Sequence, residues 1–219
     1  MAARRGGAFF DFDNTLILGD SQDLEIRWLF RQRRLPVGFM LRVAAAVWFY
    51  RHGALSSDAA VRLCITHYKG RRLADVEQDA ERFFREVIGE RFFDKTLAEL
   101  GKHREAGRPI FILSASPLHL IEPAARFFGA TACRCTKLDV GRDGRLTGLV
   151  DGLVLHGEQK AAAVRELAKK YRLRLAESYA YSDHEADLAF LESVGHSIAV
   201  RPTAKLAAIA AEKGWPIIR

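Results

Sequence analysis

Cysteine is scarce in this chain. Cys64, Cys133 and Cys135 are the only three in 219 residues, too few for a disulfide framework, and a reducing cytoplasm is the expected compartment. Long apolar runs are scarce as well. The longest, LPVGFMLRVAAAVWFY at residues 35–50, is interrupted by Arg42 and falls short of the ~20 residues that span a bilayer. It reads as a helix packed inside the protein, or else as an interfacial helix flanked by basic residues. The opening MAARRGG carries no apolar stretch of signal-peptide length before Asp11, so an unexported protein is expected. Acids are nearly missing from residues 26–72, where ten Lys/Arg meet only Asp58, and that net +9 exceeds the whole-chain +7. Such a surface is either a solvated Arg-rich face or an attractor of anionic substrates and surfaces. No binding motif with interleaved aromatics accompanies it, so nucleic acid is not an expected partner. Internal repeats and low-complexity segments are absent too.

What is present is an ordinary core composition, 49% apolar and 28% charged, suited to one large domain or one domain with a smaller insert. AFF at residues 8–10 reads as a short strand buried on both faces. Residues 21–106 then read as almost wholly helical. Asp20 or Ser21 caps the first helix, with Leu24, Trp28 and Leu29 at helical spacing. Pro36 opens the next helix and Gly53 closes it; Ser56, Ser57 or Asp58 caps a third. From residue 109 strands and helices alternate. RPIFILSAS is a strand ending at Ser114, followed by a helix with Ser116 at the N-cap and Pro117 at its first position. ATACRC is a strand, and Asp143-Gly144 turns a hairpin. GEQKAAAVRELAKKY is a helix, ESYAYS a strand, DHEADLAFLESVG a helix and HSIAV a strand. A helix ending at Gly214 and a last edge strand in WPIIR complete the chain. Alternation of this kind predicts an α/β fold with a doubly wound parallel sheet. The expected division is a core of residues 1–18 and 107–219, with residues 19–106 as a helical cap over the carboxyl edge of the sheet, where ligands bind in open α/β folds.

Four features gather at that edge. Asp11 and Asp13 are two apart on a strand, so they point the same way, and two such carboxylates need a partner. The Ser114 hydroxyl and the N–H groups of Ala115 and Ser116 precede a helix start, which suits an anion such as phosphate, although a serine there is usually only a cap. Lys160 stands near a helix N-terminus, where a cation is disfavoured unless it has an anionic partner; the plain alternative is a solvated lysine. Asp183 and Asp187, four apart, share a helical face. Converging carboxylates call for a cation. Oxygen-rich sites suit Mg²⁺, and a carboxylate beside it can attack phosphorus while a second moves protons. Cys133 and Cys135, on one strand face, lack further ligands for a metal and read as small buried residues.

DFDNTL, ILSAS, GEQK and YSDHEADLAFLESVG, in that order and around that helical insert, resemble the phosphatase branch of the haloacid dehalogenase superfamily, and most of all its phosphoserine-phosphatase-like subfamily IB. The resemblance covers residues 8–218. It implies that Asp11 is the nucleophile and Asp13 the general acid and base. Ser114, with Ala115, is implied to bind phosphate, and Lys160 to shield Asp11 and the phosphoryl group. Mg²⁺ is implied as the cofactor, on Asp11, the Asp13 carbonyl and Asp183, with Asp187, Asn14, Thr15 and Ser182 in support. The implied activity is Mg²⁺-dependent hydrolysis of a small phosphorylated metabolite, such as phosphoserine or histidinol phosphate, by a monomer or homodimer. Asp13 argues against dehalogenation, because an alkoxide leaving group needs a proton that halide does not. Asp20 stands where relatives meet a substrate ammonium, though it also fits a plain helix cap. Action on a lysophospholipid, a phosphomutase, and a non-catalytic phosphate-binding domain are the other readings. His184, next to an implied ligand, reads as a rim or structural residue.

Overall fold

In a computed structural model, residues 6–219 are described, with the side chains of Arg51 and Ser57 left aside. The N-terminal residues through Arg5, where the absence of a leader is expected, lie outside them. Six parallel strands form one sheet in the order β3-β2-β1-β6-β7-β8: β1 (Ala8–Asp11), β2 (Ile110–Pro117), β3 (Ala132–Thr136), β6 (Tyr179–Ser182), β7 (His196–Val200) and β8 (Ile217–Ile218). Two further strands, β4 (Leu138–Val140) and β5 (Leu146–Val150), make the expected antiparallel hairpin apart from it. The sheet is the doubly wound α/β architecture that the alternation predicts, and WPIIR supplies its edge strand.

β1 is central because both its faces are apolar. Phe10 stacks on Tyr181 at 4.4 Å on one side, and Phe9 stacks on Phe111 at 4.8 Å on the other. The Phe10 face, with Ile112 and Ile198, is covered by Leu100 of α5 (Asp94–Glu105) and by Leu120, Ile121 and Ala124 of α6 (Leu118–Phe127). The Phe9 face, with Leu113, Ala180 and Ala199, is covered by Val164 and Leu167 of α7 (Glu158–Tyr171), Phe190 of α8 (Leu188–Glu192) and Leu206 of α9 (Ala204–Lys213). The chain leaves β1 for β2 on one side and returns later to β6 on the other, so β1 marks the switch point of the sheet.

Between β1 and β2 the chain is helical, as expected: α1 (Ser21–Arg31), α2 (Val37–Arg51), α3 (Ser57–Cys64), a 3₁₀ turn at Ile65–Tyr68, and α4 (Leu73–Glu86) before α5. Asp20 caps α1 by accepting the Asp23 N–H at 2.8 Å, and Ser56 caps α3. Gly53, at φ +72°, closes α2. Three local expectations fail. α2 is not packed inside the protein: Phe39, Val43 and Ala46 are buried, whereas Val37, Leu41 and Trp48 are 63%, 67% and 56% exposed. The fold supplies only one neighbouring surface there, formed with Ile26 of α1 and its surroundings. Ser116 is not a helix cap. The strand runs on to Pro117 and α6 starts at Leu118, because the Ser116 hydroxyl is engaged by Asp13. Nor do Asp183 and Asp187 share a helix: His184 is extended, Glu185–Asp187 is a 3₁₀ turn and α8 is short. The His184 imidazole accepts the Ala186 N–H at 3.0 Å and fixes that turn, a structural role as expected.

Candidate active site

Asp11 ends the central strand and is 6% exposed. Lys160, in the first turn of α7, reaches it: Nζ donates to Asp11 Oδ1 at 2.6 Å and to Asp187 Oδ2 at 2.7 Å. Ser182, the last residue of β6, donates to the same Asp187 oxygen at 2.7 Å. The lysine is buried, so it is no solvated surface residue. Gly157 makes the approach possible. It turns into α7 at φ +51°, and a Cβ there would stand 3.2 Å from the Ala186 carbonyl. Burial works against the Lys160 charge, but Asp11 and Asp187 outweigh it and hold the ammonium above the ordinary lysine range.

Asp13 belongs to a second network. Its Oδ1 accepts the Ser21 N–H at 2.7 Å, at the start of α1. Its Oδ2 accepts the hydroxyls of Ser114 at 3.1 Å and Ser116 at 2.7 Å. Ser21 donates in turn to Ser116 Oγ at 2.9 Å, and the Ser116 N–H donates to Ser114 Oγ at 3.0 Å. The pairing of β2 with β3 shifts register between Ser114 and Pro117. A bulge of this kind re-aims side chains, and here both serines meet Asp13. Ala115 lies inside it, its carbonyl accepting from Thr136 at 2.6 Å. Asn14 takes a left-handed turn at φ +54°, and its N–H donates to the Gly19 carbonyl at 3.0 Å, which folds the chain from β1 into α1. Thr15 is buried, and its hydroxyl has no partner among the described residues.

The charges do not balance. Burial pushes the Asp11 carboxyl up; Lys160 pulls it back; Asp187, Asp183 and Asp13 push it up again, and it stays well above its usual range. Burial likewise lifts Asp183 to about 6, against Lys160 and His184. One ammonium thus faces four carboxylates. No side-chain donor among the described residues occupies Asp11 Oδ2 or the Asp183 carboxylate. Such a hard-oxygen donor set with surplus negative charge fits Mg²⁺. Among the described residues no three His, Cys, Asp or Glu side chains converge as a ready-made metal cage. Asp11, the Asp13 carbonyl and Asp183 are the groups that would hold Mg²⁺.

The structure also joins residues that the sequence does not. Glu25 of α1 is 1% exposed. The Tyr68 hydroxyl donates to it, and His67 Nε2 lies 3.6 Å away. His67 Nδ1 donates to the Cys64 carbonyl at 2.6 Å. Burial opposes the Glu25 charge, but His67, His119 and Tyr68 prevail and hold the carboxyl below its usual range. His119, in the first turn of α6, is held at about 4, chiefly by burial. One signal for this cluster is visible in the sequence. Glu25 lies four residues after Ser21 and four before Leu29, a carboxylate in the middle of a buried stripe.

A doubly wound α/β core with a buried aspartate–lysine pair at its switch point defines an enzyme class that works at the carboxyl edge of its sheet. Comparison with known proteins narrows it. Residues 8–192 match the haloacid dehalogenase-like hydrolases. The phosphoserine phosphatase SerB1 of Mycobacterium tuberculosis is 34% identical over 215 residues, 96% of this chain and 69% of that one. A histidinol-phosphatase of Neisseria meningitidis is 30% identical over 224 residues, covering 96% of this chain and 97% of its own. A solved structure of a Bordetella pertussis protein of unknown function superposes with a TM-score of 0.90 at 28% identity, over 99% of both chains. The chain belongs to the haloacid dehalogenase-like hydrolase family.

Proposed function

We propose that this chain is a cytoplasmic, Mg²⁺-dependent phosphomonoesterase for a small phosphorylated metabolite, working through an aspartyl-phosphate on Asp11. The observation that carries the reading is the division of labour between the two aspartates. Asp11 is gripped on one oxygen by Lys160, leaving Oδ2 to attack. Asp13 is held by two hydroxyls and an N–H and has no hydrogen bond to Lys160, so it stands apart from the Asp11–Lys160 pair with its own fixed orientation. In the first half-reaction Asp11 Oδ2 bonds to phosphorus as the ester P–O bond breaks, and Asp13 protonates the departing alkoxide. In the second, Asp13 takes a proton from water, whose oxygen displaces Asp11 and releases inorganic phosphate. Lys160 offsets the charge that builds on Asp11 and the phosphoryl oxygens. Mg²⁺, when bound, supplies further charge neutralisation at those oxygens. The Ser114 hydroxyl and the Ala115 N–H are assigned to the phosphate. Residues 19–106 act as the cap that selects the substrate, with Asp20 exposed at its threshold to meet an ammonium group. The names of the two curated relatives support phosphoserine and histidinol phosphate as the first substrates to try.

The test is phosphate release from a panel of phosphomonoesters, including those two, with and without Mg²⁺, for the wild type and Asp11→Asn. Mg²⁺-dependent release that disappears in the variant is expected. A folded, Mg²⁺-supplied protein that releases nothing from any of them overturns the reading in favour of a mutase or a binding domain.

A further inference from the structure

α2 has two opposite faces, and both are apolar. The buried stripe is Phe39, Val43 and Ala46. At 100° per residue the opposite stripe is Val37, Leu41, Ala44, Ala45 and Trp48, and every one of these is exposed. An apolar face usually turns inward, yet this one points away from the protein along the whole helix, about 22 Å. No acid stands on the helix, and the surrounding charge is positive. Arg42 on α2, Arg31 at the end of α1 and Arg33 in the turn between them are exposed and have no carboxylate partner among the described residues, Arg42 lying over the Phe39 ring at 5.6 Å. The neighbouring arginines Arg27 and Arg34 do have one, in Asp23 and Asp79. Trp48 is packed against His52 at 4.2 Å and Phe49 at 5.0 Å, so the outward face ends in an aromatic cluster. Tyr50 is the penultimate residue of α2; after burial itself, the carboxylates of Glu185, Asp183 and Asp20 raise its hydroxyl above the usual phenol range.

We propose that the outward face of α2 docks on an anionic membrane surface, with Val37, Leu41 and Trp48 in the interfacial layer and Arg31, Arg33 and Arg42 on its phosphates. Charge complementarity decides the occupant. A second copy of this chain, related by a two-fold axis, would set one basic rim against the other. An anionic bilayer offers the opposite sign beside an apolar layer, and aromatic side chains favour that boundary. The docking does not depend on the phosphomonoesterase reading.

The test is co-sedimentation with phosphatidylcholine vesicles, with and without phosphatidylserine, at low and high salt. Arg31→Gln/Arg33→Gln/Arg42→Gln and Leu41→Asp/Trp48→Asp are compared with the wild type. The wild type is expected to bind the anionic vesicles and be released by salt. Binding should weaken about fivefold for each arginine removed and be lost in the Leu41/Trp48 variant. Turnover of a soluble phosphomonoester, measured in parallel, should stay at the wild-type level in both variants, because none of these residues touches Asp11 or Lys160. No binding to anionic vesicles at low salt overturns the proposal, as does binding that neither variant weakens. Sedimentation equilibrium showing a dimer that Leu41→Asp/Trp48→Asp converts to monomer also overturns it, by assigning the face to a second copy.

Discussion

Two buried carboxylates, Asp11 and Glu25, are balanced in different ways. Asp11 has a full cation in Lys160, yet three further carboxylates surround the pair. Glu25 has no Lys or Arg in contact among the described residues, but Tyr68 donates to it and His67 Nε2 stands 3.6 Å away. Against burial, the Glu25 carboxyl is held below its usual range by these neighbours, although His67 Nε2 and His119 Nε2 are buried without a hydrogen-bond partner among the described residues. The Asp11 cluster is left with surplus negative charge although it holds the stronger partner. A buried charge that the protein balances internally serves the fold; one left out of balance is an invitation to a ligand.

Substitutions can break this contrast in order of size. Lys160→Met should cost the most. It leaves Asp11 and Asp187 buried without their cation, a loss of about 3–5 kcal/mol, and turnover should vanish as well; urea denaturation and phosphate release check both. Glu25→Gln should cost less, about 1–3 kcal/mol, because an amide keeps an acceptor for Tyr68 and removes a charge. A loss as large as that of Lys160→Met would refute the claim that Glu25 is balanced mainly by hydrogen bonding.

Acid should act next. His119 and His103 are both held at about 4 in the folded chain, chiefly by burial, against about 6.5 for an unfolded histidine. Between those values the unfolded chain binds protons that the folded chain does not, so unfolding takes up protons. Stability is therefore full above about pH 6.5 and falls as the pH drops toward 4, by up to about 3 kcal/mol for each histidine. Glu25, held low, adds its own loss further into acid. Urea midpoints measured from pH 7.5 downward should show the slope, and His119→Gln should flatten it; a flat wild-type profile would count against the buried neutral imidazole. The smallest effect is expected at an exposed pair. Arg62 and Asp58, 2.7 Å apart on the surface of α3, should contribute within about 0.5 kcal/mol in a double-mutant cycle.

Much of this was legible in the sequence, for reasons that differ by element. β1 and β2 announce themselves because strands buried on both faces are unbroken apolar runs. The pairing of Lys160 with acids could be anticipated because a cation near a helix start needs an explanation. The helix proposed over Asp183 and Asp187 failed because spacing alone cannot distinguish a helix from an extended residue followed by a tight turn, and His184 stabilises the latter. Ser116 was misjudged because a hydroxyl before a helix has two possible clients, and only the fold brings Asp13 within 2.7 Å of it. The Glu25 cluster draws on residues as far apart as Glu25 and His119, and no local pattern joins them. α2 was misjudged on one point. Composition predicts a helix, but which of its two apolar faces is covered depends on how many layers the fold places around it.

The bond from the Ser21 N–H to Asp13 has a bearing on how such an enzyme changes over evolutionary time. α1 begins at Ser21, so the segment that carries Asp20, proposed above to meet the substrate, also fixes one oxygen of Asp13, the proposed catalytic acid. On the proposed function, recognition and chemistry are not separately adjustable there. A substitution in the first turn of α1 that admits a new substrate will also shift Asp13, and drift in specificity along that route carries an immediate toll on rate. Changes farther along the cap escape this coupling, and they are where new substrate preferences should accumulate first.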